Sequence, residues 1–323
     1  PNQSNVTPEE RHNMVKTVES SCLQQGGDKV ISVQAGEYDD TRAEYIMTSN
    51  GFVGSSKSTL TWTGASMTAK DEGDRRPEDY YWVGSRFRND LPSLDEIGKT
   101  VANRTLNLLG GKKIPTETLP VIIENRGVER ILGGLLSSMY GRNIQQKSSF
   151  LADKKGHTIG SKLFTLEDDP FIVKGLGSGY YDYDGFATKK RNLITNGTLN
   201  EFLIDWYYSR KLECEPTSGA TNNLIIPPGK RSLDEIIKDM DRCLLVTGFI
   251  GGNSNDTTGD FSVGIIGRLY HKGQFVQNVA EMNLADNHLK FWNKLVEVGN
   301  DPWIYSSSRN PSLVFDGVVV SGI

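Results

Sequence analysis

This 323-residue chain has little histidine, little cysteine and no long apolar run. Its three cysteines, Cys22, Cys214 and Cys243, are scattered, odd in number and never spaced C-x-x-C. That pattern argues against a cysteine zinc site and a disulfide framework, and it suits a reducing compartment. The four histidines, His12, His157, His271 and His288, stand far apart and read as surface residues. No H-E-x-x-H sets two imidazoles one helical turn apart. No apolar run approaches a membrane span, and the polar opening PNQSNVTPEE is no signal peptide, so a cytoplasmic protein is expected. Positive charge is also short: the net charge is -4. Lys154-Lys155 and Lys189-Lys190-Arg191 are too brief to build a nucleic-acid surface. G-x-S-x-G and the Walker lysine motif are missing as well.

What is present is an ordinary core-forming composition, with 37% hydrophobic and 24% charged residues. Capping-box tetrapeptides start helices at Thr7, Ser93 and Ser232. The first helix should run to about Leu23 and stop at Gly26-Gly27; the second should end at Gly110-Gly111. Strands are expected over 29–35, 43–49 and 58–70, with a turn at Asn50-Gly51 and a charged loop over 71–79. Pro120 to Ile123 reads as a buried strand. The helix after it, 128–139, carries Gly133-Gly134 in its middle, which costs up to about 2 kcal/mol of propensity relative to alanine. Either something approaches that backbone closely or the helix breaks there.

Asn196-Gly197 marks a type I′ hairpin turn, with a strand expected over 198–208. Further strands are expected over 243–249, 261–270, 275–279 and 313–320, and a helix over 284–298. Helices and antiparallel hairpins without βαβ regularity indicate an α+β fold.

Three stretches are candidates for chemistry. Asp182 and Asp184 resemble the start of an EF-hand loop but lack its later acids, so capping of a turn is the plainer reading. Tyr207, Tyr208 and Arg210 offer aromatic walls and a guanidinium for a peptide strand, or else an amphipathic strand end on its own core. The long loop 251–260 could hold a carbonyl on its backbone N–H groups, with Asp260 taking a proton, or be a flexible connection.

The string D-x-D-G-x-x-T from Asp182, followed by Leu193-Ile194, Gly197, Leu199, Phe202-Leu203, Tyr208 to Leu212 and Pro216-Thr217-x-Gly219, resembles the TldD/PmbA family. Ser49 to Phe52, Lys147 to Leu151, Leu245 to Ser262 and Val298 to Asp301 agree with the same family in order. The likeness leans to the PmbA (TldE) branch. It implies a cytoplasmic metalloprotease of two subunits that acts on small or unfolded peptides. The TldD-type subunit carries H-E-x-x-H on the helix after the central buried strand, and a cysteine near the C-terminus. Here that helix reads Val128-Glu129-Arg130-Ile131-Leu132-Gly133-Gly134, and the loop from Ile304 to Pro311 holds Ser306-Ser307-Ser308.

The resemblance therefore implies a metal-free subunit, with zinc only on a TldD-type partner. It also implies part of an N-terminal α/β domain over 1–115, truncated relative to the family, and a β-rich C-terminal domain over 116–323. The peptide-groove candidates are Asp184, Tyr207, Arg210, Thr217, Thr258, Asp260 and Ser262. A homodimer, a self-contained metal-free hydrolase using Asp260 or Ser262 with Arg210, and a regulator of DNA gyrase are the alternatives. Neither direct nucleic-acid contact nor membrane insertion is expected.

Overall fold

The computed structural model describes residues 6–322; the polar opening at 1–5 and the last residue lie outside the described residues. The chain forms two compact units, one reaching through Gly111 together with Lys174–Leu176, the other made of the rest.

The first unit starts with α1 (Pro8–Gly26), where Thr7 Oγ1 accepts from Glu10 N at 3.2 Å and Glu10 accepts from Thr7 N at 2.7 Å. β1 (Val30–Met47), β2 (Val53–Ala69) and β3 (Glu78–Ser85) form an antiparallel meander, and α2 (Leu94–Leu106) follows from a Ser93 cap. Val18 and Cys22 of α1, Ala65 and Met67 of β2, Val83 of β3 and Val101 of α2 are buried in its core.

Two expectations change here. The strands expected over 29–35 and 43–49 are one continuous strand, β1, paired with β2 in unbroken register from Ser32 to Met47. Glu37 and Asp39 sit within it because Arg11 and Arg88 neutralise them. The charged loop stops short of Asp79, which is buried in β3.

The second unit contains, in chain order, β4 (Glu117–Ile123), α3 (Val128–Ser137), α4 (Gly141–Gln145), β5 (Leu166–Asp168), β6 (Arg191–Thr195) and β7 (Thr198–Leu199). Then come α5 (Trp206–Lys211), β8 (Leu224–Ile225), α6 (Leu233–Asp239), β9 (Arg242–Ser254), β10 (Asp260–His271) and β11 (Gln274–Asn287). α7 (His288–Phe291), β12 (Leu295–Val298), β13 (Ser308–Arg309) and β14 (Leu313–Ser321) complete it. The larger sheet runs β11-β10-β9-β4-β14-β12, and β11 also pairs with β14, which closes it. Only β4–β9 is a parallel contact in that sheet; the smaller sheet runs β13-β8-β5-β6-β7.

Period-two alternation sorts the closed sheet. Val121, Ile123, Leu244 and Val246 join the main core, while Ile122, Cys243, Leu245 and Val314 point to the other face and pack under Ile236 and Ile237 of α6. Asn196 and Gly197 take φ of 48° and 80°, as the type I′ turn requires. The class is α+β.

Three further expectations are corrected. The strand after the hairpin ends at Leu199, and Trp206–Lys211 is helical because Asp205 accepts from Tyr208 N at 2.7 Å as its cap. The loop expected over 251–260 shrinks to 255–259, since β9 continues to Ser254 and β10 starts at Asp260. The helix expected over 284–298 is instead the end of β11, the short α7, a 3₁₀ turn and β12. Pairing of residues 283–287 with β10, and of Asn283 and Leu284 also with β14, overrides local propensity there.

Candidate functional site

α3 follows β4 and lays Val128, Ile131, Leu132 and Leu135 into the core, which leaves Glu129, Arg130 and Gly133 exposed. The helix is unbroken through its glycine pair, and the close approach is real at one of the two. A Cβ on Gly134 would lie 2.6 Å from Ser254 Oγ and 2.7 Å from His288 Nε2, whereas nothing stands within 4 Å of one on Gly133.

Above these glycines lies a cavity of about 610 Å³ between α3 and the end of β9, lined among others by Glu129, Arg130, Gly133, Gly252, Asn253 and His288. It adjoins a second cavity of about 560 Å³, sharing Asn253, Ser254 and Phe261 and reaching Asp256, Asp260 and Ser262. Together they make a groove along α3, β9 and β10.

His288 forms the inner wall and is only 1% exposed, against the expectation of a surface histidine. Its ring is stacked on Phe150 at 5.7 Å and lies 4.8 Å from Phe261, centroid to centroid. Nε2 is hydrogen-bonded to Ser254 Oγ at 3.0 Å, and Nδ1 is buried with no hydrogen-bond partner among the described residues. Burial pushes the imidazole down to about 4, although Asp256 and Asp286 pull the other way. Near neutral pH the ring is uncharged. So weak a base is poorly matched to activating a serine, and the pair is better suited to hydrogen-bonding a ligand.

The loop 255–259 is pinned down. Asp256 accepts from Ser137 Oγ at 2.7 Å and Asn143 Nδ2 at 3.0 Å, and Asn255 Oδ1 accepts from Thr257 N and Thr258 N. Of the seven candidates read from the sequence, Asp260 and Ser262 line the groove, and Thr258 sits beside them, its Oγ1 accepting from Asp260 N at 3.3 Å. Asn287 Nδ2 donates to Asp260 Oδ1 at 2.9 Å, and that bond, ahead of the one from Thr258, holds the carboxyl below its ordinary range. Ser262 Oγ donates to Asn283 Oδ1 at 3.1 Å.

The other four candidates lie away from this groove. Asp184 Oδ2 accepts from Trp206 N at 3.0 Å, and Asp182 Oδ1 accepts from Asp184 N and Phe186 N, so both acids hold a turn against α5. Tyr207 and Arg210 are on α5 rather than on a strand end. Thr217 Oγ1 donates to Phe202 O and accepts from Ile204 N, and it lines a separate cavity of about 170 Å³ with Arg191 and Ser218. Sequence reasoning missed Ser254 and His288. The signal that pointed to them was the glycine pair in α3.

A zinc centre needs three or four converging N, S or O donors. At the groove α3 offers Glu129 and no histidine, and His288 is engaged by Ser254. Among the described residues no three of His, Cys, Asp and Glu are grouped to hold a metal ion, so the residues here do not fit one.

Residues 116–322 match the PmbA/TldA metallopeptidase C-terminal domain, and residues 1–109 match the PmbA/TldA metallopeptidase central domain. The metalloprotease PmbA of Escherichia coli O157:H7 is 28% identical, over 98% of this chain and 71% of its own length. A PmbA homolog of Buchnera aphidicola subsp. Baizongia pistaciae is 30% identical, over 84% of this chain and 61% of its own. A crystal structure from Bacteroides thetaiotaomicron, of a proposed modulator of DNA gyrase, superposes with a TM-score of 0.95 at 38% identity, over 99% of this chain and 73% of that one. TldE from Thermococcus kodakarensis superposes with a TM-score of 0.87 at 22% identity, over 100% of this chain and 76% of that one, a likeness of fold alone. With two family domains matched end to end along it, the chain belongs to the PmbA/TldD metallopeptidase family.

Proposed function

We propose that this chain is the metal-free, TldE-like subunit of a cytoplasmic two-subunit peptidase acting on small or unfolded peptides, with a TldD-type subunit as its partner and the source of zinc. One observation carries the reading. Where TldD-type subunits are expected to carry two histidines, α3 turns Glu129, Arg130, Gly133 and Gly134 to its groove. Without a donor set for a metal, this groove supplies no metal ion of its own to polarise a carbonyl or acidify a water.

Its contribution is a wall. Beyond Val246, β9 pairs with β10 and no longer with β4 over Gly248–Ile250 and Asn253–Ser254, while Arg130 Nη2 donates to Gly251 O at 2.8 Å and Gly252 O at 3.3 Å. An extended substrate backbone laid along this stretch would be held regardless of its side chains, which suits unfolded substrates. Asn253, Ser254, Asp260 and Ser262 line the adjoining cavity, which supports a role in binding peptide polar groups.

The test is co-expression with a TldD-type subunit, measuring zinc per complex and cleavage of an unfolded peptide with and without this chain. The expected result is one zinc per heterodimer, none on this chain, and no cleavage by this chain alone. Cleavage by the fully demetallated chain on its own overturns the reading.

A further inference from the structure

We infer that the groove at α3 selects peptides that carry lysine or arginine, with Glu129 receiving the cationic head. The inference rests on the peptide-binding reading of that groove and names the side-chain chemistry that the groove prefers.

The charges lining the groove do not balance. Glu129, Asp256 and Asp260 are its acids, and Arg130 is its base. His288 adds no charge near neutral pH, because burial holds it at about 4. Arg130 is already engaged by the carbonyls of Gly251 and Gly252. Asp256 is held by neutral donors, Ser137 Oγ and Asn143 Nδ2. Asp260 Oδ1 accepts from Asn287 Nδ2, and Lys290 acts on that carboxyl only through space, behind the bonds from Asn287 and Thr258. Among the described residues, none of the three carboxylates has an ion-pair partner. A cleft lined by one sign of charge focuses its field and concentrates ligands of the other sign.

Glu129 is the acid with room beside it. Gly133 lies one helical turn further on, and nothing stands within 4 Å of where its Cβ would be. The surrounding walls dehydrate Glu129 and raise its carboxyl above the ordinary range, with no cation opposing the shift. An incoming ammonium or guanidinium relieves that cost. The same cavity is lined by Ile131, Phe261 and Val263, apolar surface that suits the methylene stem of a lysine or arginine. A neutral side chain would leave Glu129 dehydrated and unpaired. An acidic one would meet three carboxylates, and like charges set together exclude a ligand.

The experiment measures binding of the full chain to three unfolded peptides by fluorescence anisotropy. The peptides share length and sequence except at matched positions, which hold lysine, norleucine or glutamate. The lysine peptide should bind at least about tenfold more tightly than the glutamate peptide, and its advantage should shrink as salt is added. Glu129→Gln should lower the affinity for the lysine peptide by at least about threefold and spare the norleucine peptide. Asp260→Asn should act in the same direction, and Glu129→Lys should reverse the order of the lysine and glutamate peptides. Asp316→Asn removes one charge at an exposed residue that lines neither cavity, and it should leave the preference intact. Circular dichroism checks the fold of every variant. Equal binding of all three peptides overturns this inference and leaves the peptide groove standing. So does a lysine preference that Glu129→Gln, Asp260→Asn and Asp316→Asn weaken alike, which would mark an effect of net charge. Binding of none of the peptides overturns both readings.

Discussion

Ser254 Oγ and His288 Nε2 are 3.0 Å apart and meet over Gly134, where a Cβ would come within 2.7 Å of both. That contact joins α3, the end of β9 and the start of α7, three segments distant in the chain. It also closes the position from which any side chain on α3 at residue 134 would have to project.

The two neighbouring glycines should therefore respond oppositely to alanine. Gly133→Ala meets open space and should raise stability by up to about 1 kcal/mol through helix propensity. Gly134→Ala must displace Ser254 or His288, a cost of about 1–3 kcal/mol that the same propensity offsets only in part. Urea midpoints at unchanged slope measure both. Equal midpoints for the two variants would refute the close approach.

Burial holds His288 at about 4, below its ordinary 6.5. Between those values the unfolded chain binds a proton that the folded chain refuses, so stability rises with pH across this window. The contribution is complete above about 6.5 and fades as pH falls toward 4, by up to about 3 kcal/mol. His288→Asn should flatten this part of the stability–pH curve. A slope unchanged by the substitution argues that the imidazole is not buried and neutral.

Gly133→Phe places a ring in the 610 Å³ cavity without a backbone clash. The chain should stay folded, and the zinc content of a complex with a TldD-type subunit should not change. Peptide affinity should fall by about tenfold or more, equivalent to roughly 1.4 kcal/mol. Unaltered peptide binding in a folded, zinc-loaded complex removes the groove from the proposed role.

Arg191 is the buried cation of the smaller sheet. Its Nε donates to Asp168 Oδ2 at 3.1 Å and its Nη2 to Ala220 O at 2.7 Å, while Nη1 donates to Thr217 O. Asp168 is fully buried, and burial already raises its pKa against the bonds from Asn222 and Arg191. Arg191→Ala leaves that carboxyl without its cation and should cost about 3–5 kcal/mol in denaturant unfolding. Arg191→Lys should rescue little, because an ammonium cannot reproduce the fork that reaches both the carboxylate and the carbonyls. Full rescue by lysine contradicts the geometric account.

Features encoded within a few residues were legible in the sequence. The caps at Thr7 and Ser232 form the reciprocal bonds that their spacing announces, and Ser93 accepts from Glu96 N. The turn at Asn196-Gly197 follows from the positive φ that both residues tolerate. Features that depend on distant partners were not. The middle of β1 contains Gly36, Glu37, Asp39 and Asp40, poor strand formers that β2 and the guanidinium groups of Arg11 and Arg88 hold extended. The aromatic run at 206–208 looks like strand, yet a cap from Asp205 and a bond to Asp184 make it helix.

The same division applies to the candidate site. Residue types and spacing alone supply the family, the α+β class and the lack of histidine on the helix after β4, because each is written in contiguous residues. The groove belongs to the fold. His288 has the polar neighbours Asp286, Asn287 and Lys290 in sequence, and its ring is covered by Phe150 and Phe261, with Gly134 and Ser254 at its edge, all brought to it from elsewhere in the chain. Its depressed basicity, its bond to Ser254 and the need for glycine at 134 all follow from that desolvated packing, which no local pattern encodes.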